Sequence, residues 1–212
     1  MSLESEAEAG KLAAVYAATS PEEIARTYDA WAERYEAEMA EVGYRHPTIC
    51  LAYLARHLPA GAGPVLDAGA GTGLIGEWLR IAGYGPVEGV DLSAGMLEVA
   101  GRKGVYDRLA QADLTARLPF EDGRFAGAVC AGVFTTGHVG AEGLNELLRV
   151  LRPGGVLVLT VKDKTWEGGF AARVAALAAE GAVERIDGTA PYSSMPGVAD
   201  NAPSRVVVLR RR

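Results

Sequence analysis

Three aspartates sit where an apolar chain should have no use for charge. Asp67 lies inside Val65-Leu66-Asp67-Ala68-Gly69-Ala70-Gly71-Thr72-Gly73, Asp91 ends Val87-Glu88-Gly89-Val90-Asp91-Leu92-Ser93, and Asp113 stands in Ala112-Asp113-Leu114. A carboxylate at the end of a buried strand is costly unless a partner awaits it. At Asp67 that partner is either a ligand ammonium group or a hydrogen-bond network around the loop that follows. Asp91 has the placing to accept from two ribose hydroxyls. Asp113 could accept from an adenine amino group while Leu114 packs near the ring edge. Between the first two acids, Gly69, Gly71 and Gly73 have no Cβ and can take positive φ, which lets a ligand lie against the main chain, with Ala70 and Thr72 in the same loop.

An ammonium, a ribose and an adenine amino group on one ligand describe S-adenosylmethionine. The rival is a dinucleotide, because Gly71-Thr72-Gly73-Leu74-Ile75-Gly76 also satisfies G-x-G-x-x-G and admits an NAD-dependent oxidoreductase. A further rival is a protein that binds S-adenosylmethionine without turnover. The motif G-x-x-x-x-G-K-[ST] is not present, which argues against ATP. Met96 suits either ligand contact or core packing, and Cys130, near the end of the fourth strand, joins the cofactor-binding set. His138 follows that strand; it is either the candidate base that takes a proton from an acceptor or a loop histidine. Tyr28 and Tyr35 are either a packing face or contacts to cofactor and substrate. Trp166 and Phe170, expected in a loop after the fifth strand, and Tyr192, between the last two strands, are candidates for the substrate pocket. Neither Cys50 nor Cys130 has metal-ligand spacing with a histidine, so no metal is expected.

These residues need an alternating scaffold. Strands are expected at Pro64–Asp67, Val87–Asp91, Arg108–Ala112, Phe125–Ala131, Val156–Val161, Val183–Ile186 and Ser204–Leu209, with helices between. Leu74 to Ile81 reads as a helix with Leu74, Ile75, Trp78, Leu79 and Ile81 on its apolar face. Ser93 caps the next, to Lys103, and Ala141–Leu151 forms another. Upstream, Ser20-Pro21-Glu22-Glu23 is a sharp helix start, carrying Ile24, Tyr28, Trp31, Tyr35 and Met39 on one side, after a loose beginning up to Thr19. A second helix runs from His46 to Leu58. At 212 residues, 49% hydrophobic and 23% charged, the chain holds an ample core. Its net charge of -6 disfavours nucleic acid. Two cysteines suggest a reducing cytoplasm, and neither a membrane span nor a signal peptide is expected.

The motifs together resemble the class I S-adenosylmethionine-dependent methyltransferases. V-L-D-A-G-A-G-T-G resembles their first motif, V-E-G-V-D-L-S-A-G-M-L their second-strand motif and A-D-L their acidic adenine motif. Leu-Arg-Pro-Gly-Gly at 151–155 is similar to the turn before their fifth strand. Tyr28 to Glu36 resembles the N-terminal helix of small-molecule methyltransferases, and the G-Y-R-H-P stretch and D-A-G-A-G-T-G-L-I-G resemble the Williams–Beuren-region methyltransferase-like subgroup. The resemblance implies an α/β, Rossmann-like sheet of seven strands in the order 3-2-1-4-5-7-6, the last antiparallel, with helices on both faces. It implies that Asp67, Gly69 and Gly73 hold the methionine part, Asp91, Leu92 and Met96 the ribose and adenine, and Asp113 and Leu114 the far adenine edge. The expected organisation is a helical cap or lid over residues 1–60 and a methyltransferase domain over 61–212. The expected activity is methyl transfer by in-line displacement to a small-molecule acceptor, in a monomer or homodimer.

Overall fold

In a computed structural model the described residues are 20–135, 139–198 and 201–212. The loose start expected before residue 20 and the candidate base His138 both lie outside them. The central strands are apolar on both sides, and the reason is visible in the packing. Val65, Val156, Val158, Val206 and Val208 bury one face against Cys50, Leu54, Ile75 and Leu79. Their alternating neighbours Leu66, Leu157, Leu159, Val207 and Leu209 bury the other against Leu144, Leu147, Val174 and Leu177. A sheet covered on both faces has no polar side to spare.

The strands are β1 (Val65–Ala68), β2 (Val87–Asp91), β3 (Arg108–Gln111), β4 (Phe125–Phe134), β5 (Leu151–Lys162), β6 (Val183–Gly188) and β7 (Ser204–Arg211). They form one sheet in the order β3-β2-β1-β4-β5-β7-β6. All pairings are parallel except those of β7 with β5 and β6. The order and the reversed last strand are those expected. Leu151 already pairs with Phe125, and the ladder resumes at Gly127 and Val156 after the Arg-Pro-Gly-Gly bulge, so β5 begins earlier than its apolar run.

The helices are α1 (Pro21–Glu41), α2 (His46–His57), α3 (Leu74–Ile81), α4 (Ala94–Arg102), α5 (Gly143–Val150) and α6 (Ala171–Ala179). Ser20 and Ser93 cap α1 and α4, accepting from Glu23 N and Met96 N at 3.2 and 3.0 Å. Three differences from expectation have physical causes. Asp163–Thr165 and Trp166–Phe170 are helical turns that run into α6, not a loop. Trp78 and Ile81 are 48% and 75% exposed, because one turn of helix carries Ile75 and Leu79 to the sheet and leaves those two on the far side. The helix expected within the cap, α2, packs directly on the sheet through Cys50 and Leu54. Among the described helices, α1 packs on α4 and carries part of a separate cluster of Trp31, Met39, Val42 and Met195 with Tyr28, Tyr35 and Tyr44 against it.

Candidate functional site

At the C-terminal ends of β1, β2 and β4 a cavity opens between the glycine loop and α1, where open α/β sheets bind ligands. On its sheet side lie Gly69, Gly71, Asp91, Leu92, Met96, Asp113 and Leu114. Asp91 accepts the Gly71 N–H on Oδ2 at 2.8 Å and the Ser93 N–H on Oδ1 at 2.9 Å. Each carboxylate oxygen keeps a second lone pair, the pair of acceptors that vicinal ribose hydroxyls require. Burial raises the Asp91 pKa, while the Ser93 and Gly71 N–H groups pull it down. Asp113 folds its Oδ1 onto the Thr115 N–H and hydroxyl at 2.7 and 2.8 Å, which fixes its carboxylate at the cavity wall.

The glycines of the first motif answer to different needs. At Gly71 (φ 52°) a Cβ would meet nothing within 4 Å, so this residue presents bare backbone to the cavity. At Gly69 (φ 76°) a Cβ would lie 2.2 Å from Val133 Cγ2, so its room is taken by a neighbour's side chain as much as by any guest. Gly73 and Gly76 make way for the Tyr106 ring; a Cβ on Gly76 would be 2.3 Å from the Tyr106 hydroxyl.

Tyr106 was not visible from the motifs, and it settles how Asp67 is partnered. Asp67 is 1% exposed and accepts the Tyr106 hydroxyl proton on Oδ2 at 2.6 Å. Burial pushes its carboxyl up to about 7, the Tyr106 bond opposes that, and the nearby Asp91 adds to it. The partner is thus the network around the loop. Asp67, Ala70, Thr72 and Gly73 are not among the residues that line the cavity. Cys130 turns into the core, where burial raises its thiol well above its ordinary value, and its neighbours Ala131, Gly132 and Val133 form the wall instead. Phe170 packs edge-on against Phe134 at 5.0 Å between ring centroids, and Tyr192 pairs with Ser204 and with His46; neither these nor Trp166 lines the cavity.

Further lining is supplied by Pro21, Ile24, Tyr28 and Tyr35 of α1, by Tyr44 and by Val139. Of these only Tyr28 and Tyr35 were marked from the sequence. Asp29 ties α1 to the cofactor side, accepting the Ser93 hydroxyl at 2.5 Å and the Gly95 N–H at 2.8 Å on Oδ1. Among the described residues no group of three histidine, cysteine or acidic side chains could hold a metal, and no helix is long and apolar enough to cross a membrane.

Bare backbone at Gly71, two acceptor lone pairs at Asp91 and a second carboxylate at Asp113 suit an adenosyl group. Residues 66–159 match the methyltransferase domain family, and this segment has the fold of the class I S-adenosylmethionine-dependent methyltransferases. Human methyltransferase-like protein 27 is 36% identical over 144 residues, 65% of this chain and 57% of that protein. The demethylmenaquinone methyltransferase of Clavibacter sepedonicus is 38% identical over 104 residues, 48% of this chain and 42% of that protein. The chain therefore spans about half the length of these curated relatives. Among solved structures, the Burkholderia thailandensis 1,6-didemethyltoxoflavin-N1-methyltransferase, with its substrate and S-adenosylhomocysteine bound, shares the fold at a TM-score of 0.65 and 20% identity, over 92% of this chain and 91% of that one.

Proposed function

We propose that this protein transfers the methyl group of S-adenosylmethionine to a small-molecule acceptor. The observation that carries the reading is a single cavity with two unlike walls. One presents Gly71, Asp91 and Asp113; the other is built from aromatic and aliphatic side chains. The first wall suits ribose and adenine, and the second suits a neutral guest. Two of the similar proteins are named for small-molecule acceptors, demethylmenaquinone and 1,6-didemethyltoxoflavin, which supports an acceptor of that size.

When bound, the cofactor supplies a methyl group on a sulfonium that is already strongly electrophilic. The chain's own contribution is then to orient and to exclude water. Asp91 and Asp113 hold the adenosyl part, and Met96, Leu92 and Leu114 pack beside it. Helix α1, pinned by Asp29, closes the other side as a lid. Asp67 acts through the loop: with Tyr106 it fixes the turn that brings Gly71 to the cavity. In-line displacement needs no further covalent chemistry from the protein. The acidic chain and its two buried, unbridged cysteines support a cytoplasmic setting without nucleic-acid partners.

Thermal denaturation with added ligand tests the reading. S-adenosylhomocysteine should raise the melting temperature by mass action, and NAD should not. Stabilisation by NAD alone would favour the oxidoreductase that the overlapping G-x-G-x-x-G also permits. Tight S-adenosylhomocysteine binding without turnover over a broad acceptor panel would favour a non-catalytic binding protein.

A further inference from the structure

Tyr44 lines the cavity, and its hydroxyl forms no hydrogen bond to any described residue. The hydroxyl is not a buried atom, so it is open to whatever fills the cavity and can donate to it. The surroundings show that this hydroxyl is held in place. The ring lies edge-on against His46, 5.3 Å between centroids at 71°, and His46 Nδ1 is 2.7 Å from the Tyr192 hydroxyl. Burial drives the His46 pKa down to about 3, so the ring behind Tyr44 is neutral over the working range. Burial likewise pushes the Tyr44 phenol well above its ordinary value, with Tyr35 adding to the shift. Tyr44 is therefore a protonated, neutral donor.

The strand beneath it is shaped to leave this hydroxyl clear. Between Cys130 and Phe134 the pairing of β4 with β5 slips register, and Gly132 within that bulge has φ 80°. A Cβ at Gly132 would lie 2.4 Å from the Tyr44 oxygen. The Gly132 N–H is already given to Thr160 Oγ1 at 2.7 Å, so the bulge offers space and no competing donor. Beside Tyr44 the lining supplied by α1 and by the residues after β4 is Pro21, Ile24, Tyr28, Tyr35 and Val139, with no charged side chain among these described residues; the charged lining, Asp91 and Asp113, belongs to the cofactor wall. A charged acceptor would lose its hydration there without compensation. A flat ring would gain from aromatic and aliphatic neighbours.

We propose that Tyr44 is the acceptor-anchoring residue, donating a hydrogen bond to a ring oxygen substituent of an uncharged, planar hydroxy-aromatic acceptor seated between α1 and the β4 bulge. This deepens the methyltransferase reading and rests on it. The anchor fixes the acceptor's orientation beside the cofactor wall and leaves the acceptor's proton to leave by another route.

Fluorescence titration of 2-naphthol into protein saturated with S-adenosylhomocysteine tests it, with naphthalene as the matched probe lacking the hydroxyl. The wild type should bind 2-naphthol saturably and more tightly than naphthalene. Tyr44→Phe, which keeps the ring and its packing, should weaken 2-naphthol about fivefold or more. The same variant should leave naphthalene affinity and the calorimetric affinity for S-adenosylhomocysteine unchanged. Equal 2-naphthol binding by the wild type and Tyr44→Phe, or none by a wild type that does bind S-adenosylhomocysteine, overturns the proposal alone. A wild type that binds no S-adenosylhomocysteine overturns the reading beneath it.

Discussion

The two walls of the cavity are built on opposite principles. On the glycine-loop side, the three carboxylates are each held by a hydrogen bond: Asp91 with Gly71 and Ser93, Asp113 with Thr115, Asp67 with Tyr106. On the α1 side, apolar and aromatic groups dominate and Tyr44 keeps its hydroxyl uncommitted. A preorganised wall suits a ligand whose shape is constant across a whole family. A wall of side chains from one helix and a strand bulge can change with the acceptor while the first stays fixed.

That contrast can be broken within the glycine loop itself. Gly69→Ala should be the most damaging change, because its Cβ meets Val133 and the backbone has positive φ. Overpacking and backbone strain together cost about 3 kcal/mol, read by chemical denaturation. Asp91→Ala comes next, and it should act on the ligand more than on the fold. Removal of a charge-assisted pair of acceptors should weaken S-adenosylhomocysteine by about 1.5–3 kcal/mol in calorimetry. Gly71→Ala should be mildest for stability, about 1 kcal/mol, since the added methyl meets only open space. If Gly69→Ala and Gly71→Ala prove equally destabilising, the different uses assigned to the two glycines are wrong.

A pH series sharpens the account of Asp67. Its carboxyl titrates near 7 in the fold against an ordinary value of 3.8, so the folded state holds this proton more tightly than the unfolded chain does. Below about pH 4 both states are protonated and the group costs nothing. As pH rises toward 7 the cost of burying the charge grows, and above 7 it is complete. Asp67→Asn keeps an acceptor for Tyr106 and removes the charge. Its melting temperature should gain on the wild type as pH rises from 4 to 7 and then hold a constant lead. A lead independent of pH would mean Asp67 is ionised throughout.

What the sequence exposes differs between the walls for the same reason. The alternation of strands and helices, the caps at Ser20 and Ser93 and the acids near three strand ends are local signals, a charge closing an apolar run or a serine before a helix, whereas the sheet order is implied by the family resemblance of the motifs. Tyr106, Tyr44 and Gly132 carry no such signal. Each becomes part of the site because the topology brings distant segments together, the loop before β3 onto the glycine turn and the α1–α2 link over the β4 bulge. The turns at Asp163–Phe170 were hidden by Gly168 and Gly169, which read as loop. Trp78 and Ile81 were misplaced because an eight-residue helix buries a narrower stripe than its apolar content suggests. Cys130 packs in the core, and the strand turns its next three residues, Ala131, Gly132 and Val133, to the cavity only where the register shift begins.

The central claim is that one cavity seats an adenosyl ligand on its acidic wall and faces the α1 side with the rest. A crystal structure with S-adenosylhomocysteine tests it most directly. The ribose hydroxyls should lie on Asp91, the adenine against Asp113 and Leu114, and the sulfur should face the space beneath Tyr44. Adenosine bound away from Asp91 and Asp113, or a sulfur turned from the tyrosine wall, would contradict it.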